Sequence, residues 1–301
     1  MWRYALRRLG YAVPILIGVS IVVFALIKMA PGDAADLLIP PETPKEVAAQ
    51  IRAKLGLDKP MYVQYAVWLG RTVRGDLGIS IVTNEPVAAS LLNALGNTLM
   101  LAVPAAVLGF TLGTILDRVF SAAAITGVSL PHYWVGIVLV AIFAVTLNAL
   151  PAQGMGPGGI PRTWEQVRHL ILPVFTLSLI PMGVVSRLVR ANVLEIIGQE
   201  FVGALRAKGL LDRRVLVHVM KNAAPSVMAL MGLQLGYLLG GSILVETVFN
   251  WPGSGGLMNL AIFRRDVPVL SATILTIAAL FVLINIAVDV LQAAVDPRIR
   301  R

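Results

Sequence analysis

The chain has 301 residues, 57% of them hydrophobic and 14% charged, with a formal net charge of +9. Soluble domains average about 45–50% apolar and about 25% charged residues, so the apolar excess, expressed in a mean hydropathy of +0.81, excludes an ordinary soluble core and points to a bilayer. The absence of cysteine excludes disulfides, thiolate metal sites and cysteine nucleophiles, and cations placed between apolar runs, not on a solvated face with polar readers, set nucleic acid aside.

Six apolar runs of spanning length are expected, at approximately 9–28, 97–116, 128–150, 169–189, 223–246 and 268–290. Each is close to the ~20 residues a helix needs to cross ~30 Å of hydrocarbon. Arg3, Arg7 and Arg8 precede the first run. A signal peptide has a shorter apolar core and a small-x-small cleavage site, so a retained first transmembrane helix is expected. Pro104, Pro173, Pro181 and Gly236 fall inside the runs, which neighbouring helices tolerate by re-satisfying freed backbone groups.

The first long connection, 31–96, opens with Pro31-Gly32-Asp33 and Pro40-Pro41-Glu42-Thr43-Pro44. A helical pattern follows from Pro44 to Leu55, ended by Gly56. A second, amphipathic pattern runs from Tyr62 to Val73, with Val63, Ala66, Val67 and Leu69 on one side. Its aromatic and apolar content predicts a small ordered helical cap in place of a linker. The turn between the second and third runs, around Leu116-Asp117-Arg118, is very short.

The connection 190–222 is long for a link between two spanning helices. Residues 199–208 form a helical pattern in which Phe201, Ala204, Leu205 and Lys208 share a face. Gly209 fits the C′ position that ends such a helix. Gly203 and Ala204 permit close approach of another surface, and Arg206 and Lys208 add positive charge. Such an element is suited either to lie on a membrane surface or to dock in a partner's groove.

Orientation follows from Lys and Arg. With the N-terminus inside, Arg3, Arg7, Arg8, the cluster from Arg187 to Lys221 and the terminal Arg298, Arg300 and Arg301 all fall inside. The short outside loops hold only Arg162, Arg168, Arg264 and Arg265. The positive-inside rule then assigns both termini to the cytoplasm and segment 31–96 to the outside.

Chemistry-bearing motifs are few. No G-x-x-x-x-G-K-[ST] loop and no H-E-x-x-H occurs, so the chain is expected to bind neither nucleotide nor metal itself. His132, His169 and His218 are far apart and near helix ends. Ser178, Ser186 and Ser242 lack a G-x-S-x-G setting, which argues against an intramembrane protease. Lys28 and Asp289 sit near helix ends, where snorkelling accounts for them, and no proton relay is visible, which argues against an ion-coupled transporter. Glu246, closing the fifth run, reads either as an interface anchor or as a structural hydrogen-bonding acid. Asn148, Ser178, Gln234 and Ser242 are candidate substrate-path residues; polar groups of this kind more often bond between helices.

The sequence Glu200-Phe201-x-x-Ala204-Leu205-Arg206-Ala207-Lys208-Gly209-Leu210, with Arg213-Arg214 and Lys221-Asn222-Ala223, resembles the EAA loop of binding-protein-dependent ABC importer permeases. The family's Thr-Ala-Arg pattern reads Gly203-Ala204-Leu205 here. Further stretches are similar to the B-type permeases of the dipeptide/oligopeptide (peptide/nickel) group: Pro31-Gly32-Asp33, Leu55-Gly56-Leu57-Asp58-Lys59-Pro60, Gly75-Asp76-Leu77-Gly78-x-Ser80, Ser129-Leu130-Pro131-x-x-Trp134, Val245-Glu246-Thr247-x-Phe249-x-Trp251-Pro252-Gly253-x-Gly255 and Asp296-Pro297-Arg298. The turn at Leu116-Asp117-Arg118 is about ten residues shorter than in that family.

The resemblance implies an all-α polytopic protein of one domain, with six transmembrane helices, a periplasmic helical insertion at 31–96 and a cytoplasmic coupling helix between helices 4 and 5. It implies that Glu200, Phe201, Gly203, Ala204, Leu205, Arg206, Ala207, Lys208 and Gly209 meet an ATPase, and that Glu246, Phe249, Pro252, Gly253 and Gly255 build an outer-face loop. The implied partners are a second permease, two ATPase subunits or domains that hold ATP and Mg, a substrate-binding protein and the lipid bilayer. The implied location is the bacterial inner membrane, and the implied cargo is peptides.

Overall fold

The computed structural model describes residues 2–29, 58–115, 131–159 and 161–295, together with isolated positions between 43 and 53. The helical pattern over Pro44–Leu55, the short turn at Leu116–Arg118, the first part of the expected 128–150 run and the Asp296-Pro297-Arg298 stretch lie wholly or largely outside the described residues.

The described chain is helical: α1 (Trp2–Met29), α2 (Met61–Val73), α3 (Val87–Ile115), α4 (His132–Leu139, continued by a π-helical turn Val140–Thr146), α5 (Trp164–Ile197), α6 (Glu200–Ala207), α7 (Asp212–Val248), α8 (Ser254–Arg264) and α9 (Val267–Val295). Five of them, α1, α3, α5, α7 and α9, are long and apolar enough to cross a membrane; His132–Thr146 is a shorter apolar helix.

Helices α5 and α7 have 34 and 37 residues, about 50 Å or more of helix at 1.5 Å per residue, well beyond the ~30 Å hydrocarbon core. The expected connection of about 33 residues at 190–222 is therefore corrected. Helix α5 continues to Ile197 and α7 begins at Asp212, leaving α6 and two short links between them. Arg187 and Arg190 interrupt the apolar run, whereas the helix continues past them to Ile197. At its other end α5 starts on a capping box, in which Thr163 accepts from the Gln166 N–H and the Gln166 side chain accepts from Thr163 N.

The centre of the bundle is α3 packed on α5, flanked by α7, with α9 on α7 and α1 on α9. Small residues set the closest approach. A Cβ at Gly109 would stand 2.9 Å from the Ser178 carbonyl oxygen, and one at Gly113 2.7 Å from that of Met182. Apolar burial drives helix association weakly inside lipid, so such backbone-to-backbone contact matters more there. The principal buried cluster joins Leu101, Ala105, Leu172, Leu177, Leu238 and Phe249 from α3, α5, α7 and the turn after α7. Helix α1 is peripheral. Its buried residues Ala12, Ser20 and Val23 are few, and Arg8 pairs with Asp289 of α9 at 2.9 Å. Asp289 thus has a defined partner and is not only a snorkelling end group.

Candidate functional site

Two assemblies stand out, one at each end of α7. At its C-terminal end the chain turns through Phe249, left-handed Asn250 (φ 46°), Trp251, Pro252 and Gly253 into α8. Glu246, 1% exposed, lies in the last turn of α7. Its carboxylate accepts from Thr98 Oγ1 (2.7 Å), Gly255 N (2.8 Å) and Gly256 N (3.0 Å). The carboxylate therefore satisfies orphan N–H groups of the first turn of α8 and faces the positive end of its dipole. Of the two sequence readings of Glu246, the structure supports the hydrogen-bonding acid.

The surroundings leave little tolerance. Thr98 Oγ1 also accepts from Ser254 N (2.8 Å). Trp251 Nε1 donates to the Asn97 carbonyl (2.9 Å), and Asn97 Nδ2 donates to the Pro252 carbonyl (2.8 Å). A Cβ on Gly253 would collide with the Glu246 carboxyl, and one on Gly255 would stand 2.6 Å from Ile243 Cα. Phe249, 1% exposed, offers its carbonyl to Gly154 N (2.8 Å) and its ring to Gly136. Gly154 in turn accepts from His169 Nδ1 (3.0 Å). Residues from α3, α4, α5, α7, α8 and the 147–163 loop thus meet at one end of the bundle.

Asp266 was not among the sequence candidates. It is 4% exposed, sits at the N-cap of α9, accepts from Ser80 Oγ and Ile81 N, and fastens the 79–86 turn to the bundle. The signal was present in Asp266-Val267-Pro268, an acid followed by a proline in the first helical turn.

At the other end of α7 lies α6. Val202 (1% exposed), with the half-buried Phe201 and Leu205, packs on Ile196 of α5 and on Val215, Val219 and Ala223 of α7. Of the residues expected to share a face, Phe201 and Leu205 turn inward together with Val202, whereas Ala204 and Lys208 are exposed. The neighbours are α5 and α7, and they cover the side of α6 that carries Phe201, Val202 and Leu205. Gly203, Ala204, Arg206, Ala207 and Lys208 are left in solvent, as is Glu200 in the first turn. Helix α6 stops at left-handed Gly209 (φ 78°). Leu210 N donates to Leu205 O (3.3 Å) and Gly209 N to Arg206 O (2.8 Å), which is the Schellman pattern, with Leu205 and Leu210 in the same apolar cluster.

The four path candidates are not brought into a common hydrogen-bonded site. Ser178 and Ser242 are fully buried and donate to carbonyls of their own helices, Phe175 (2.7 Å) and Leu239 (3.2 Å). Asn148 is exposed in a left-handed turn (φ 47°). Gln234, 8% exposed, has a buried Oε1 with no hydrogen-bond partner among the described residues.

Five helices long and apolar enough to cross a membrane, a two-turn helix held at the tips of two of them and an acid-capped turn at the opposite end of α7 describe a multi-pass membrane protein. Residues 98–301 match the family described as binding-protein-dependent transport system inner membrane component, and residues 1–102 match the N-terminal part of such membrane components. The chain is 35% identical over 332 aligned positions to the dipeptide transport system permease protein DppB of Alkalihalophilus pseudofirmus, covering 100% of both chains. It is 38% identical over 313 positions to the glutathione transport system permease protein GsiC of Escherichia coli K12, covering 100% of this chain and 99% of that one. The chain therefore belongs to the family of binding-protein-dependent inner-membrane permeases and is a multi-pass permease subunit of an ABC importer.

Proposed function

We propose that this subunit pairs with a second, homologous permease to enclose a path for peptides delivered by a substrate-binding protein, and that α6 is the helix through which separate ATPase subunits drive it. The observation that carries the reading is the division of α6 into two faces. Phe201, Val202 and Leu205 fasten it to the tips of α5 and α7, while Gly203, Ala204, Ala207 and Lys208 are exposed, as is Arg206 in a surface ion pair with Asp212 at 3.5 Å. A push on α6 then reaches α7 through Val215 and Val219, and α7 carries it to the Glu246 turn at its far end. Such a lever suits a bundle that alternates between two arrangements.

On this reading ATP and Mg belong to the partner ATPases and this chain is not itself an enzyme. His132–Thr146 belongs to a sixth span, both termini are cytoplasmic, 31–96 is periplasmic, and the binding protein docks near 31–96 and the turn after α7. Asn148, Ser178, Gln234 and Ser242 remain the path candidates. Gln234 is favoured because its acceptor is buried without a partner among the described residues, and an unsatisfied buried group is costly. Peptide cargo rests on similarity to the dipeptide and glutathione permeases.

The test is Ala204→Asp, on the exposed face, beside Val202→Ala, on the buried face. Ala204→Asp is expected to abolish co-purification of the ATPase subunits and substrate-stimulated ATP hydrolysis while leaving thermal stability unchanged. Retained ATPase subunits with undiminished stimulation would overturn the docking assignment.

A further inference from the structure

We propose that the cavity between the C-terminal end of α1, helix α2 and the first turn of α9 is a binding site for one anionic phospholipid, its phosphate held by Lys28, Lys59 and Arg71 and its upper acyl chain lying along Phe24, Val67 and Trp68. The cavity measures about 380 Å³, within the range of about 300–1,000 Å³ typical of small-molecule sites.

Its depth in the membrane follows from helix geometry. Helices α1 and α9 run antiparallel. Arg8 meets Asp289 at one end, and Phe24 and Lys28 face Pro268 across the cavity at the other. Twenty residues separate Arg8 from Lys28, about 30 Å of helix at 1.5 Å per residue, which is one hydrocarbon thickness. With the Arg8–Asp289 pair at one membrane surface, the cavity lies at the other. Aromatic residues collect there as at a lipid interface: Phe24 stands 5.5 Å, centroid to centroid, from both Tyr65 and Trp68, and Ser20 shares a 2.8 Å hydrogen bond with Tyr65, tying α2 to α1.

The charge on the wall is lopsided. Lys28, Lys59 and Arg71 line the cavity with a single described carboxylate, Asp76, whose Oδ1 accepts from Gly78 N (3.1 Å). No described acid forms an ion pair with any of the three cations, and Lys28 rests over the Phe24 ring at 5.9 Å. Three cations above an apolar floor at a membrane surface complement a phosphodiester on an acyl chain. Because α1 packs chiefly on α9 and leaves most of its surface uncovered, the cavity is at the edge of the bundle, where lipid reaches it.

The experiment uses the full-length chain in neutral detergent, with native mass spectrometry counting retained phosphatidylglycerol or phosphatidylcholine and with inorganic phosphate as competitor. Phosphatidylglycerol is expected to be retained in preference to phosphatidylcholine. Lys28→Gln and Arg71→Gln are expected to weaken it about fivefold per cation removed, and Arg162→Gln, an exposed cation elsewhere, is expected to leave it unchanged. A second readout needs no charge variant: phosphatidylglycerol brominated in the upper acyl chain is expected to quench tryptophan fluorescence, and Trp68→Phe to lose that increment. Equal retention of both lipids, a Lys28→Gln/Arg71→Gln chain that retains phosphatidylglycerol like the wild type, or quenching indifferent to Trp68→Phe would overturn the proposal. Inorganic phosphate competing as strongly as the lipid would reduce the site to a plain anion site and overturn the lipid assignment.

Discussion

Thr98 Oγ1 donates to Glu246 Oε1 at 2.7 Å across 148 residues of sequence, and the same oxygen accepts from Ser254 N. One hydroxyl therefore joins α3, the end of α7 and the start of α8. Glu246 is fully buried, and its other oxygen accepts from Gly255 N and Gly256 N. A hydrogen bond to a charged group contributes about 1.5–3 kcal/mol. Glu246→Gln keeps the shape and loses the charge at the helix N-terminus, so a loss of about 1–2 kcal/mol is expected. Glu246→Ala strands two N–H groups and the Thr98 hydroxyl, for about 3–5 kcal/mol. Thermal unfolding in detergent checks the order wild type, Gln, Ala. A Gln variant as stable as the wild type would show that the carboxylate adds nothing beyond an amide of the same shape.

Two glycines that look alike in sequence are expected to respond oppositely to alanine. At Gly255 the new Cβ meets Ile243 Cα at 2.6 Å and Glu246 Oε2 at 2.8 Å. The α8 N-terminus must move away from its cap, a loss of about 1–3 kcal/mol. Gly203 has nothing within 4 Å of its Cβ direction, so alanine there adds up to about 1 kcal/mol of helix propensity to α6. Thermal unfolding of Gly255→Ala and Gly203→Ala reads both signs directly. Gly203→Ala also tests whether the partner surface on α6 needs a bare backbone, because stability would then rise while ATPase stimulation falls.

Five of the six apolar runs were legible because a 3.6-residue helix crossing hydrocarbon must be apolar over its whole length, while the run at 128–150 is described only as the shorter apolar helix His132–Thr146. The helix stop at Gly209 was legible because only glycine takes φ near +78° without cost. Other features were hidden for identifiable reasons. The length of α5 and α7 beyond the membrane is invisible to hydropathy, since Arg187 and Arg190 are as helical as their apolar neighbours. Val202 turns inward on α6 because α5 and α7 pack on that side, a tertiary fact. The role of Glu246 depends on Thr98, which no local window contains. Asp266 and the Thr163–Gln166 box are different, because both carry capping signatures within a local window.

Asp266 fastens the turn at 79–86, where Ser80 N donates to Glu85 O at 2.9 Å and Val87 N donates to Gly78 O at 3.1 Å. Its carboxylate caps α9 and receives Ser80 Oγ and Ile81 N. Asp266→Ala is expected to cost about 1–2 kcal/mol as a lost N-cap. It should also raise amide exchange at Ile81, Val82 and Thr83 while leaving the α3–α5 centre protected. Hydrogen exchange read by mass spectrometry checks this. Uniform loss of protection across the bundle would mean that Asp266 supports the whole fold and not the turn.

Orientation can be read without disturbing any of these contacts, because the chain has no cysteine. Tyr62 on α2 is 75% exposed, and Leu211, between α6 and α7, is 73% exposed. The proposed topology puts Tyr62 on the periplasmic side and Leu211 on the cytoplasmic side, with α6. Single variants Tyr62→Cys and Leu211→Cys are therefore expected to separate cleanly with a membrane-impermeant maleimide. Tyr62→Cys should label in cells whose outer barrier alone is opened, and Leu211→Cys only after the inner membrane is lysed. Labelling of Leu211→Cys from outside would put α6 on the wrong side for an ATPase and would remove the coupling role, whatever Ala204→Asp does. If both label from outside, the odd number of crossings proposed between them fails as well. If Leu211→Cys is protected until lysis and then becomes unreactive only when the ATPase subunits are bound, the same reagent locates the partner on the exposed side of α6.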